Sequence, residues 1–122
     1  MQVTGEAVYT EDLPKPPSTL HAALVTSSTA HGRIVSIDTA AATALPGVHG
    51  YFGAKDVPGN NRIGPVFQDE FVFAEDHVTC VGQPIGIIVA EYPTIAKRAA
   101  SMVKVRVVPS HPASCEPAAV AG

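Results

Sequence analysis

Polar and apolar positions alternate or cluster along this chain in a way that sets out its elements before any chemistry is considered. Residues 20–28, "LHAALVTSS", are mostly apolar and bounded by small polar residues, and the pattern predicts a strand. "RIVSID" (33–38) alternates, with Ile34 and Ser36 on one side and Val35 and Ile37 on the other, and predicts a second strand after the turn "STAHG". "TAAATALPG" predicts a short helix: Asp38 or Thr39 can cap its start, alanines favour it, and Pro46-Gly47 ends it. "VHGYF" (48–52) predicts another short strand, and the glycine- and proline-rich stretch 53–65 predicts the longest loop. "VFQDEFVFAEDHVTC" predicts one or two short strands.

The run "IGIIVAE" (85–91) is continuously apolar, which suits a strand covered on both faces. Pro93 then stands at the first position of the longer helix, with Ile95, Ala96, Ala99, Met102 and Val103 on one face and Lys97, Arg98 and Ser101 opposite. "VKVRVV" (103–108) alternates as a last strand. Before these elements, residues 1–19 carry Pro14, Pro16 and Pro17 and predict an extended arm. After them, residues 109–122 hold three prolines and many small residues without periodicity, and predict a disordered tail. The order of elements describes an α+β domain over 20–108, with a mixed sheet, one short helix and one longer one.

Composition narrows the partners. The chain has 122 residues, 46% hydrophobic and 16% charged, against roughly 25% charged in an average soluble domain. Such low charge implies that part of the surface is covered by something else. The net charge is −3 and the eight Lys and Arg are scattered, so neither a basic patch nor stacking aromatics point to nucleic acid. The longest strictly apolar run, 87–90, is far below the roughly 18 residues of a membrane span. The N-terminus lacks the basic and apolar regions of a signal peptide, and two cysteines make no disulfide framework, so a cytoplasmic setting is expected.

The candidate chemistry is thin. Cys80 sits between valines and reads as a buried core cysteine, because a nucleophile needs a base or a helix N-terminus, and His77 lies three strand positions away. Gly82-Gln83-Pro84 reads as a turn feeding a core strand, since a phosphate loop would open a helix. The five histidines show no HxH or HxxxH pairing, and a closed zinc site has no support. Of the acidic pairs Glu11-Asp12, Asp69-Glu70 and Glu75-Asp76, the second is the most interesting, with capping of backbone amides as its expected role.

Taken together, the ordered set "VTGEAVYTEDLP", "HAALVTSSTAHGRIVSID", "LPGV", "DVPGNN", "DEFVFAEDHVTCVGQPIGIIVAE" and "AKRAASMVKV" resembles the α/β-hammerhead domain of the molybdenum hydroxylases, the xanthine dehydrogenase and aldehyde oxidase family, over residues 2 to about 107. "TGEA", "AHGRI" and "TCVGQPIG" resemble its eukaryotic xanthine dehydrogenase branch. The resemblance implies that the domain scaffolds the molybdopterin domains of a larger, homodimeric enzyme. That enzyme would hydroxylate purines or aldehydes with molybdopterin and pass electrons through iron–sulfur clusters to FAD. No cofactor and no catalytic residue is expected in this chain, which alone should bind no molybdopterin and turn over no purine. Val66 and Phe67, in the loop shaped by Gly64-Pro65, are the residues the resemblance places near the substrate entrance. The end "VRVVPSHPASCEPAAVAG" departs from the family pattern, and Met1 falls where the family chain is internal, so a fragment is expected. The rival expectation is a free-standing, non-enzymatic interaction domain of the same fold. Purine and aldehyde chemistry are not distinguished by these residues, nor are dehydrogenase and oxidase.

Overall fold

A computed structural model describes residues 2–110. Its strands are β1 (His21–Thr26), β2 (Gly32–Asp38), β3 (Val48–Gly53), β4 (Arg62–Ile63), β5 (Glu70–Phe71), β6 (His77–Val78), β7 (Pro84–Ala90) and β8 (Lys104–Pro109); its helices are α1 (Ala40–Thr43) and α2 (Pro93–Met102). They form two three-stranded sheets, β1-β7-β3 and β6-β2-β8, and the hairpin β4-β5, with every pairing antiparallel. The α+β expectation with one short and one longer helix holds, but the expected mixed sheet does not: the strands divide among separate sheets and no parallel pair forms, because no two neighbouring strands run in the same direction. The long loop is broken by a 3-10 turn at Ala54–Asp56 and by β4.

Residues 2–19 contain two single 3-10 turns, Gln2–Thr4 and Thr10–Asp12, and are otherwise irregular. At the other end β8 runs through Pro109, which stands opposite Gly32, and the Ser110 N–H donates to the His31 carbonyl at 3.2 Å. The tail expected beyond that lies outside the described residues.

The middle strand β7 organises the core, as its apolar run requires. It pairs on one side with β1 and on the other with β3. Ile88 is buried in a cluster with Val25, Ala42 and Ala99, whereas Ile85 is buried in a second cluster with Ala74 and Val78. Val105 of β8 packs against both. α2 presents Ala96 and Ala99 inward and leaves Lys97, Arg98 and Ser101 exposed, as its periodicity predicts. Small residues on that face let the helix lie close to the sheet.

Local signals act at the expected places. The Asp38 carboxylate accepts the Ala40 N–H at 3.0 Å and so holds the start of α1. Gly47, at φ +83°, turns the chain out of α1 into β3, a backbone conformation that side chains resist. On β2 the alternation is partial: Ile34 is half-buried, but Val35 and Ile37 are both exposed.

Tyr51 lies flat on the backbone of Gly86, where an added Cβ would collide with its ring and hydroxyl and with the Phe52 carbonyl. Its hydroxyl donates to the Ile85 carbonyl at 3.3 Å. Burial, and next the nearby Asp56 carboxylate, raise the Tyr51 phenol above its usual pKa of 10.0.

Two outcomes are expected. Ile88→Ala should destabilise the domain by about 3 kcal/mol in urea unfolding, and Leu24→Ala, at an exposed site, by less than about 1 kcal/mol; equal losses would contradict this core. Because folding favours the neutral phenol, the Tyr51 contribution is intact below pH 10 and lost as pH rises through the raised value. Unfolding between about pH 9 and 11 should show less alkaline decline in Tyr51→Phe than in the parent sequence.

Candidate functional site: the β4–β5 loop and its supports

The loop 64–69 joins β4 to β5, whose register sets Arg62 opposite Phe71 and Ile63 opposite Glu70. Gly64 approaches the Phe67 carbonyl so closely that any Cβ there would overlap it. That close return throws the side chains of Val66 and Phe67 outward, 80% and 76% exposed. Burying a side chain of this kind is worth about 1.5–3 kcal/mol, a gain that two adjacent residues forgo here.

The base of the loop is held by Asn61. Its side chain, 8% exposed, behaves like a peptide group inserted between strands. The Phe73 N–H donates to Asn61 Oδ1 at 3.0 Å, and Asn61 Nδ2 donates to the Phe73 carbonyl at 2.8 Å and to Glu75 Oε1 at 3.0 Å. The Val72 N–H adds a bond to the Asn61 carbonyl at 3.0 Å. Next to it Asn60 Nδ2 donates to Gln68 Oε1 at 2.9 Å, and the Arg62 guanidinium lies 4.6 Å from the centre of the Phe71 ring. The motif "DVPGNN" by itself gives Asn61 no role. An asparagine in a Gly-Pro loop has the composition of any turn, and its partner lies twelve residues on.

The other candidates resolve differently. Cys80 is exposed, not buried, which corrects the sequence reading. Its neighbouring valines suggested a strand, but β6 ends at Val78 and Cys80 already belongs to the turn. The turn itself is as expected: Gly82 has φ +85°, Gln83 Oε1 accepts the Thr79 N–H at 2.6 Å, and Ser27 is bonded through both backbone groups to Gly82 and Gln83. Asp69 and Glu70 cap no backbone amide among the described residues; Asp12, Asp38 and Asp56 do. Glu70 instead pairs in the hairpin as part of β5.

Among the described residues no three of His, Cys, Asp and Glu converge as a metal site requires. Cys80 is the only cysteine described, which cannot anchor an iron–sulfur cluster. The described residues therefore do not fit an iron–sulfur cluster. No described helix is long and apolar enough to cross a membrane.

The comparison with known proteins agrees with the fold. The family profile "Aldehyde oxidase and xanthine dehydrogenase, a/b hammerhead domain" matches residues 4–109. Xanthine dehydrogenase 2 of Arabidopsis thaliana is 60% identical over 106 residues, covering 87% of this chain and 8% of that protein. Xanthine dehydrogenase/oxidase of Mus musculus is 50% identical over 105 residues, 86% of this chain and again 8% of the relative. Among solved structures, the aldehyde oxidoreductase of Desulfovibrio gigas superposes with a TM-score of 0.82 at 34% identity, over 89% of this chain and 13% of that one. The CO dehydrogenase of Oligotropha carboxidovorans gives 0.81 at 33%, over 89% and 14%. The chain thus spans about a twelfth of the length of the curated relatives it matches, and it belongs to the aldehyde oxidase and xanthine dehydrogenase family, as its α/β-hammerhead domain.

Proposed function

We propose that this chain is the hammerhead portion of a molybdenum hydroxylase of xanthine dehydrogenase type, and that its role is structural. The observation that carries this reading is the 60% identity to a xanthine dehydrogenase across nearly the whole domain. In this reading residues 20–108 are the rigid body, residues 1–19 an arm lying along its neighbours, and the body packs on the molybdopterin domains of a cytoplasmic, homodimeric enzyme. Molybdopterin, iron–sulfur clusters and FAD are carried by those other domains. The exposure of Val8, Tyr9 and Leu13 in the arm, more than half in each, supports this. Val66 and Phe67 form one wall of the substrate entrance, held at fixed height by Asn61.

The size of the native polypeptide tests the reading directly. An antibody against residues 20–107 should detect a band many times longer than 122 residues; a band of 122 residues would sink the proposal. Within such an enzyme, Phe67→Ala should change KM for bulky substrates severalfold, leave kcat on small ones near its starting value and cost less than about 1 kcal/mol in stability. A stability loss of several kcal/mol would instead mean that Phe67 is packed. Asn61→Ala should cost about 1–3 kcal/mol by stranding the Phe73 backbone groups, and should speed proteolytic cleavage between residues 62 and 70.

A further inference from the structure

β1 lies at the border of its sheet, so one of its two edges is unpaired. The direction of its peptide groups follows from Ser27. The Ser27 N–H donates to the Gln83 carbonyl at 2.9 Å and the Ser27 carbonyl accepts from the Gly82 N–H at 2.8 Å, so both groups face the β7 side. Peptide groups alternate sides along a strand, which turns Thr26 away from β7. The register shift between Val25 and Thr26 skips Ile85 of β7, so the residues before it are oriented from the other end: the Glu91 N–H donates to the Gly47 carbonyl at 2.9 Å on the β3 side, which turns Ile88 and Gly86 toward β1. Their partners Ala23 and Val25 therefore face β7, and Ala22 and Leu24 face away from it. The position opposite Thr26 agrees: Pro84 has no N–H, and its carbonyl accepts from Ala74 at 2.8 Å instead. Among the described residues Ala22, Leu24 and Thr26 make no backbone hydrogen bond outside the sheet.

Border strands are normally protected by charges, proline, breaks or shortness. β8 has Lys104, Arg106 and Pro109; β4, β5 and β6 are two residues long; β3 has Gly50 and Gly53. β1, "HAALVT", has no Lys, Arg, Asp, Glu, Pro or Gly, its Leu24 is 57% exposed, and its one register shift against β7 falls at its end, between Val25 and Thr26. Along residues 22–25 its free edge carries none of these protections.

A groove of about 850 Å³ runs along that edge. Five consecutive residues, 22–26, line one bank, as an edge does and a single strand face does not. The opposite bank carries Lys97 and Ala100 of α2 and Lys104 and Val105 of β8. Both lysines are exposed, and no carboxylate lines the groove.

We propose that this groove receives an extended acidic strand, supplied by the part of the native polypeptide outside this chain, which adds to the free edge of β1 and sets its carboxylates against Lys97 and Lys104. The backbone groups of Ala22, Leu24 and Thr26 supply affinity and register, and the two lysines select the charge of the incoming strand. The inference rests on the reading of the chain as a portion of a longer enzyme.

The test is amide-resolved hydrogen exchange on the native polypeptide that carries this domain. The Leu24 and Thr26 amides should exchange at least about 100-fold more slowly than an unpaired edge. In the Lys97→Glu, Lys104→Glu double variant those two amides should speed up at least about tenfold, while Val25 and Ile88, bonded within the domain, keep their rates. Leu24→Pro, which removes only an outward N–H, should release Thr26 without unfolding the domain. Fast exchange at Leu24 and Thr26 in a polypeptide of full enzyme length overturns the inference and leaves the proposed function standing. Protection that survives the double lysine variant also overturns it. A native polypeptide of 122 residues overturns the proposed function itself, and with it the source of the strand.

Discussion

The burial of β7 is the constraint on which the rest of this domain depends. One strand supplies the partners for β1 and β3 and the two isoleucines at the heart of the two clusters. Everything nearby is cut to fit it. Gly86 has no side chain, so Tyr51 can lie on the strand, and the turn at Gly82 and Gln83 fastens the strand's start to the end of β1. The small residues of α2 allow a helix to close over the sheet. A strand of this kind tolerates little at Ile85, Ile88 and Ala90, which are buried, and its backbone bonds are used on both edges. Its other face is less covered than a continuous apolar run predicts, since Ile87 and Val89 are half-buried and Leu24 and Phe52 beside Ile87 are exposed.

Around that middle several apolar groups stay exposed: Val8, Tyr9 and Leu13 of the N-terminal segment, Val66 and Phe67 at the loop tip, and Leu24 on the border strand β1. Two different devices hold them. The loop tip is fixed from below by a side-chain amide that imitates a peptide bond, so its position is set by hydrogen bonds and not by packing. The strand edge is fixed by the sheet itself. Under the proposed packing, both would present contact groups on supports already held in place, which keeps the entropic cost of assembly low.

Much of this was legible in the residues, for identifiable reasons. Continuous apolarity announced β7, Pro93 announced α2, and Pro46-Gly47 the end of α1, because each signal is local. The failures share a cause as well. Cys80 was expected in the core because valines flank it, yet whether a valine-rich segment continues as a strand or turns is decided by Gly82 and by Ser27, far away in the chain. Asn61 was passed over because its partner Phe73 is brought to it only by the hairpin. Asp69 and Glu70 were given a capping role that other aspartates perform, since adjacency of carboxylates says nothing about which amides lie within reach. Val66 and Phe67 were singled out by family resemblance, and no pattern of spacing would have separated them from core residues.

The order of the strands along the chain carries a consequence for biosynthesis. β1 and β3 are both made before their shared partner β7, and Val105, which touches both clusters, comes later still. A ribosome therefore extrudes two unpaired, uncharged or nearly uncharged strands well ahead of the segment that joins them. Pairing between such distant segments is slow. During that interval the nascent chain is at its most vulnerable to misassembly, so the pace of translation through residues 54–83 helps to decide how much of it reaches the folded form.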